Sequence, residues 1–268
     1  MSADHRKVCF SRARYIIYQP YPGLHLAYHS KRFYVSARSK YQKIDIIDNE
    51  AYGRMLFLDN NVQHTEYDAH IFSEALCSEA KRNHVARILV LGGGSGQTAV
   101  ALLKSPSVSQ VTVVEIDSQV VDYCKRYVKG VKRAFSDKRV KVLIGNAFNY
   151  LHSTDEKFDV ALVDLTEAPF AIGNYTSTLK RLYTDIKRKC GGRCSQYIGS
   201  QVDLAYSQPF RDTLNRMSRR YLSNIRYVST FIPSFGAPHI IMHAGYRRSW
   251  PARHFNLKPR PTALEIDV

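Results

Sequence analysis

Three polar side chains fall where strand-like runs end. Glu115 closes QVTVVE, Asn146 follows RVKVLIG, and Asp164 closes FDVALVD. Ahead of them LVLGGGSGQT, Leu89 to Thr98, runs an apolar stretch into Gly92-Gly93-Gly94-Ser95-Gly96. A glycine turn between strand and helix lets backbone amides approach a ligand with no Cβ in the way, and it sets the amides of a helix N-terminus at the carboxyl edge of a sheet. Alone, such a turn is also compatible with a tight connection, and its spacing is GxGxG, unlike the GxGxxG of dinucleotide enzymes. Glu115, about twenty residues further on, lies where a carboxylate takes both hydroxyls of a ribose. Turn, strand and terminal acid together point to an adenosine-containing co-substrate, and the glycine spacing favours S-adenosylmethionine (AdoMet) over NAD. Asn146 offers a side-chain carbonyl to an adenine amino group or to the helix that starts at Ala147, and the two roles are compatible. Asp164, at the end of the fourth such strand, is the candidate for catalysis or ligand binding.

These residues need elements to hold them. From about Arg14 to Thr65 the runs RYIIYQ, LHLAYH, RFYVSA, YQKIDIID, RMLFLD and VQHTE are strand-length, rich in aromatic and β-branched residues and separated by turn residues. They predict a small antiparallel β unit. A helix is expected over Asp68 to Lys81, with Ile71, Phe72, Ala75 and Leu76 on its apolar face. From Ala86 strands alternate with helices, which implies a largely parallel sheet covered on both faces. CSQYIGS, a helix from about Pro209 to Tyr221, then NIRYVSTFIP and HIIMHAGY complete seven strands ending in a hairpin. The expected fold is α/β: a Rossmann-like, seven-stranded AdoMet-dependent transferase sheet preceded by a small N-terminal antiparallel β domain. The expected boundaries are 1–66 for the β domain, 67–247 for the catalytic domain and 248–268 for a basic tail.

Composition narrows the class. The chain has 268 residues, 44% of them hydrophobic and 23% charged, as in a globular protein with a full core. Its apolar runs are too short, or too broken by Pro and Gly, to span a bilayer. The N-terminal segment lacks an apolar signal region. Five cysteines without CxxC spacing read as reduced thiols, including Cys190 and Cys194, and a cytoplasmic location follows. His64, His70, His84 and His243 miss metal-ligand spacings, so no metal is expected. The formal charge of +16 would suit an acidic partner such as nucleic acid, but charge runs of this kind more commonly form solvated helix faces, and that reading is preferred.

The ordered series YQKIDIID, GRMLFLDNNVQHTEYD, VLGGGSG, VVEID, KRVKVLIGNA, FDVALVDLTEAP, GGRCSQYIGS and FIPSFG resembles the spermidine/spermine/thermospermine synthase family, the aminopropyltransferases, from about Tyr15 to Gly245. The resemblance implies transfer of an aminopropyl group from decarboxylated AdoMet to a small amine or polyamine, with release of methylthioadenosine. Asp164 would be the general base. Gln42, Gln63, Gly92, Gly93, Gly94, Ser95, Gly96, Glu115, Ile116, Asn146 and Ala147 would hold the co-substrate. Tyr67, Asp68, Glu167, Gln196 and Phe235 would meet the acceptor, and Tyr175 is a further candidate wall. A homodimer formed through the β domain is implied as well. The chain departs from the family pattern at Ser95, where an aspartate is usual, and at Ala69, Phe72 and Asn146. A carboxylate in the glycine turn would repel the carboxylate of intact AdoMet, whereas Ser95 can donate a hydrogen bond to it. Methyl transfer from AdoMet and a catalytically silent, nucleoside-binding protein are therefore alternatives.

Overall fold

The computed structural model describes residues 15–21, 23–165, 175–200 and 208–246. Strands β1 (Tyr15–Tyr21) and β2 (Leu24–His29) form a two-stranded antiparallel sheet. An antiparallel meander follows: β3 (Arg32–Arg38), β4 (Lys43–Asn49), β5 (Gly53–Leu58) and β6 (Asn61–Thr65). The positive φ of Asp59 and Asn60 turns β5 tightly into β6, a conformation that short polar side chains tolerate best after glycine.

Helix α1 (Ala69–Arg82) leads into the larger unit. Its elements are β7 (Arg87–Gly92), α2 (Gln97–Leu102), β8 (Gln110–Glu115), α3 (Ser118–Tyr127), α4 (Val131–Phe135), β9 (Val140–Ile144), α5 (Ala147–Ser153) and β10 (Val160–Asp164). After them come α6 (Tyr175–Cys190), β11 (Cys194–Ser200), α7 (Gln208–Tyr221), β12 (Arg226–Ile232), a 3-10 turn over Pro233–Phe235 and β13 (Ala237–Ala244). The seven strands lie in the order β12-β13-β11-β10-β7-β8-β9. From β11 to β9 they run parallel, and β13 and β12 add an antiparallel hairpin at one edge. The predicted α/β architecture is the one observed.

The central strands are apolar on both faces because both are covered. Leu89, Leu91 and Val163 pack against Tyr183, Ile186 and Leu214, from α6 and α7. Ile88, Val90 and Leu162 pack on the opposite side with Leu102 and Ala80. The β unit is tied in by two further clusters: Ile47, Met55 and Phe57 with Ile232 and Phe235, and Ile44, Ile46 and Leu56 with Val120, Cys124 and Val131. Helix α1 lies between the two units, so its buried positions include Leu76, Cys77 and Ala80, whereas Ile71 and Phe72 sit half-buried against the β unit. The single apolar face expected for this helix is thus divided between two neighbours.

Chain order reverses beside β7. From it the chain goes outward to β8 and β9, then returns on the other side with β10 and β11. In an open α/β sheet this reversal leaves a crevice at the carboxyl ends of the strands.

Candidate functional site

A cavity of about 650 Å³ opens at that crevice. Gln42, Gln63, Gly92 to Ser95, Glu115, Ile116 and Asp164 line it, as do Asp68, Tyr175 and Phe235. A second cavity of about 490 Å³ shares Gly92, Glu115, Ile116 and Leu165 with the first and adds Asn146, Ala147, Phe148 and Arg181. The sheet register explains why distant residues meet: Asp164 pairs with Gly92, and β8 ends next to β7 with Glu115 at its tip.

The glycine turn is dictated by what surrounds it. Gly92 has φ +82, and a Cβ there would stand 2.2 Å from the Asp164 carbonyl oxygen. At Gly94 a Cβ would meet Cγ and Oε2 of Glu115 at 2.8 Å. Contact this close serves a purpose: Gly94 N–H donates to Glu115 Oε2 at 3.0 Å, and Asp117 N–H donates to Oε1 at 3.0 Å. Burial raises the Glu115 pKa above the ordinary carboxylate value, while the Asp117, Gly94 and Ile116 amides pull it back. A carboxylate held in this way at a strand end fits a vicinal diol, and the adjoining 490 Å³ cavity has room for a base. The residues present therefore fit an adenosyl group.

Asp164 lies at the strand end on the cavity floor, where Thr98 Oγ donates to its Oδ2 at 2.6 Å. Burial raises its pKa and the Thr98 bond partly opposes the rise. Asn146 caps α5 by accepting from Asn149 N–H at 3.0 Å, so one lone pair of its side-chain carbonyl is already in use. Gln42 donates to Asp117 Oδ2 at 3.0 Å, which leaves its carbonyl for other partners. Asp117 also accepts from Ser39 at 2.6 Å and caps α3. One acid thus fixes the β4 entry, the α3 start and an amide at the cavity wall.

Several expected residues lie elsewhere or have other work. Tyr67 is 63% exposed and packs edge-on against Tyr52, away from the cavity. Gln196 is fully buried and accepts from the Tyr183 hydroxyl at 3.0 Å; strand alternation sends Tyr197 to the cavity in its place. Gly96 lets the turn pack on Val131 and lines neither cavity. Asp68 touches the cavity, yet its oxygens accept from Thr65 Oγ (2.6 Å), Ser234 N–H (2.7 Å) and Ser234 Oγ (2.8 Å), which ties the start of α1 to the 3-10 turn. Glu167 lies outside the described residues, as does the basic tail.

Thr98, Asp117, Tyr197 and His239 are site residues that the sequence reading missed. Thr98 follows the glycine turn by two residues and Asp117 follows Glu115 by two, so both were within reach of a local argument. Tyr197 and His239 carry no local signal, because only strand pairing brings them to the cavity. Among the described residues no cluster of His, Cys, Asp and Glu could hold a metal ion. The described cysteines Cys77, Cys124, Cys190 and Cys194 are free and buried, with thiol pKa values raised by burial.

The sequence pattern of a known family covers this site. The Spermine/spermidine synthase domain matches residues 65–246, and the Spermidine synthase tetramerisation domain matches residues 15–66. The chain belongs to the spermine/spermidine synthase family. It is 34% identical over 173 residues to a polyamine aminopropyltransferase of Bacillus mycoides, in a match covering 58% of this chain and 63% of that relative. The chain thus spans a little under two thirds of that relative's length. With a polyamine aminopropyltransferase of Pyrobaculum neutrophilum the identity is 34% over 214 residues, covering 76% of this chain and 72% of the relative. A crystal structure of spermidine synthase in complex with the transition-state analogue AdoDATO superposes with a TM-score of 0.78 at 22% identity, covering 90% of this chain and 84% of that one. This superposition shows the fold.

Proposed function

We propose that the protein is an aminopropyltransferase that moves the aminopropyl group of decarboxylated AdoMet to an amine, with Asp164 as general base. The observation that carries this reading is the convergence of Asp164, Glu115 and the glycine turn on one cavity that adjoins a second, base-sized one. The family membership and the polyamine aminopropyltransferase relatives support it.

Decarboxylated AdoMet supplies a methylene activated by its sulfonium. The attacking nitrogen forms a C–N bond there as the C–S bond breaks, methylthioadenosine leaves, and the nitrogen gives up a proton. Asp164 takes that proton. Its raised pKa strengthens it as a base relative to an exposed aspartate, and Thr98 keeps its carboxylate oriented. Glu115, held in place by the Gly94 amide, takes the ribose, and Gln42 and Gln63 stand on the wall nearest the β unit. These residues act by orientation, which can supply much of the rate of a two-reactant displacement.

The same reading includes division near residue 66 into a β unit and a catalytic unit, a cytoplasmic location, and self-association through the β unit. The name of the domain matched at 15–66 supports assembly of several copies, without selecting the dimer expected from sequence. Ser95 remains the residue that would admit intact AdoMet.

The test is product detection by mass. Incubation with decarboxylated AdoMet and an amine should release methylthioadenosine. Asp164→Asn should lower turnover by about 10²- to 10⁴-fold while nucleoside binding persists. S-adenosylhomocysteine formed from AdoMet would instead indicate methyl transfer, and nucleoside binding with neither product would indicate a silent protein.

A further inference from the structure

The nucleoside end of the 650 Å³ cavity is assembled from both units of the chain. Glu115 closes β8 in the catalytic unit, and Gln42 lies in the turn between β3 and β4 of the β unit. Both line this cavity, and of the two only Glu115 also lines the 490 Å³ cavity. A nucleoside with its base in the smaller cavity therefore carries its ribose past Glu115 to the side where Gln42 stands. The group that joins these two side chains is Asp117, 1% exposed at the start of α3.

Asp117 serves both. Its N–H donates to Glu115 Oε1 at 3.0 Å, and its Oδ2 accepts from Gln42 Nε2 at 3.0 Å. The same oxygen accepts from Ser39 Oγ at 2.6 Å, while Oδ1 accepts from Gln119 N–H at 3.1 Å. Ser39 N–H donates to the Gln42 carbonyl at 2.9 Å, and Gln42 N–H donates to Ser39 Oγ at 3.1 Å. These bonds fix the main chain at Gln42, so only its side chain is left to be oriented. The two ends of a glutamine amide are nearly the same size and opposite in hydrogen-bonding character, so packing alone does not choose between them. A carboxylate oxygen does choose. It takes the nitrogen end and leaves the carbonyl oxygen for the cavity, beside Glu115.

From this arrangement we infer that Asp117 is a positioning residue for the co-substrate: it sets the sense of the Gln42 amide, so that the amide oxygen accepts from a ribose hydroxyl next to Glu115. Asp117 itself lines neither cavity and acts through Gln42. Ribose recognition thereby depends on the β unit as well as on the strand end that carries Glu115. The inference rests on the nucleoside assignment within the transferase reading above and adds a residue to it.

Asp117→Asn tests this with almost no change of size. The new side-chain oxygen keeps the cap on Gln119 N–H, and an NH2 group stands where Oδ2 accepted. The Ser39 hydroxyl can reverse and accept from it, but Gln42 must turn its carbonyl toward it and present its own NH2 to the cavity. Calorimetry compares methylthioadenosine with its 2′-deoxy and 3′-deoxy analogues. The variant, checked for folding by its melting temperature, should bind methylthioadenosine at least about tenfold more weakly, which corresponds to about 1.4 kcal/mol. It should bind the analogue that lacks the hydroxyl met by Gln42 within about twofold of the native protein, a difference that general loosening of the site would not produce. Gln42→Ala should give the same pattern, and adding Asp117→Asn to it should change methylthioadenosine affinity by less than about twofold, because the two residues act as one. Asp117→Ser, which keeps a capping oxygen but cannot reach Gln42, is read by the same comparison should the asparagine variant fail to fold. Equal weakening of all three nucleosides, unchanged methylthioadenosine affinity, or additive losses in the double variant would overturn the inference. Turnover takes no part in these titrations, so a protein that releases no methylthioadenosine from decarboxylated AdoMet would fail the transferase reading while the titrations still decide Asp117. A native protein that does not bind methylthioadenosine would overturn both.

Discussion

Replacing Gly94 by alanine isolates the part played by Glu115. The Gly94 backbone lies outside the left-handed region, so alanine meets no backbone strain there, and the whole effect comes from the new methyl. That methyl would stand 2.8 Å from Cγ and Oε2 of Glu115. Comfortable carbon contacts begin near 3.4–3.5 Å, so the carboxylate must withdraw by about 0.6 Å or more. The withdrawal breaks the 3.0 Å bond from Gly94 N–H and displaces the oxygen that faces the ribose position. A charge-assisted hydrogen bond contributes about 1.5–3 kcal/mol, so nucleoside affinity should fall about tenfold to one-hundredfold. Calorimetric titration with methylthioadenosine reads this directly, and a thermal melt shows that the fold survives. Gly92→Ala is the contrasting control: with φ +82 and a backbone oxygen at 2.2 Å it should lose the fold itself. If Gly94→Ala melts normally and binds methylthioadenosine within about twofold of the native protein, Glu115 is not the ribose anchor, and the assignment of the nucleoside to this crevice loses its main support.

Thr98→Val removes the hydrogen bond that favours ionised Asp164, so the pKa of this already raised acid should climb further. A base works deprotonated, so the acid limb of kcat should move to higher pH; an unmoved limb would show that another group limits the rate. Ser95→Asp puts a carboxylate on the cavity wall and should weaken intact AdoMet relative to its decarboxylated form by about tenfold or more, measured by competitive calorimetry; an unchanged ratio would refute the charge argument. His64, His239 and His243 are buried with pKa values lowered to about 4, against about 6.5 when exposed. The unfolded chain takes up their protons first, so their contribution is complete above pH 6.5 and is lost as pH falls toward 4, up to about 3 kcal/mol each. The raised acids Glu115 and Asp164 oppose this, because their protonation on acidification favours the folded state. The urea midpoint should nonetheless drop between pH 7 and 5, and a flat midpoint would contradict neutral burial of the imidazoles.

The sequence determined whatever depends on neighbours along the chain. Strand-length runs rich in aromatic and β-branched residues, separated by turn residues, announced the antiparallel β unit at Arg14 to Thr65, and apolar runs alternating with helical stretches from Ala86 announced the parallel sheet. The glycine turn and the acids at 115 and 164 were legible because a parallel sheet gathers strand ends at one edge, so identity and order along the chain already fix their neighbourhood. Asn146 was legible in both of the roles assigned to it, and the structure displays the capping one. Tertiary structure decided the rest. Gln196 and Tyr197 are adjacent in sequence, yet strand alternation and the bulge after Tyr197 put one in the core and the other in the cavity. Asp68 reads as an acid with no partner of its own until Ser234, 166 residues away, is found donating to both of its oxygens. His239 becomes a wall residue only through the antiparallel pairing of β13 with β11. The physical reason is the same in each case: hydrogen-bond partners and burial are set by atoms distant along the chain, and local pattern carries no record of them.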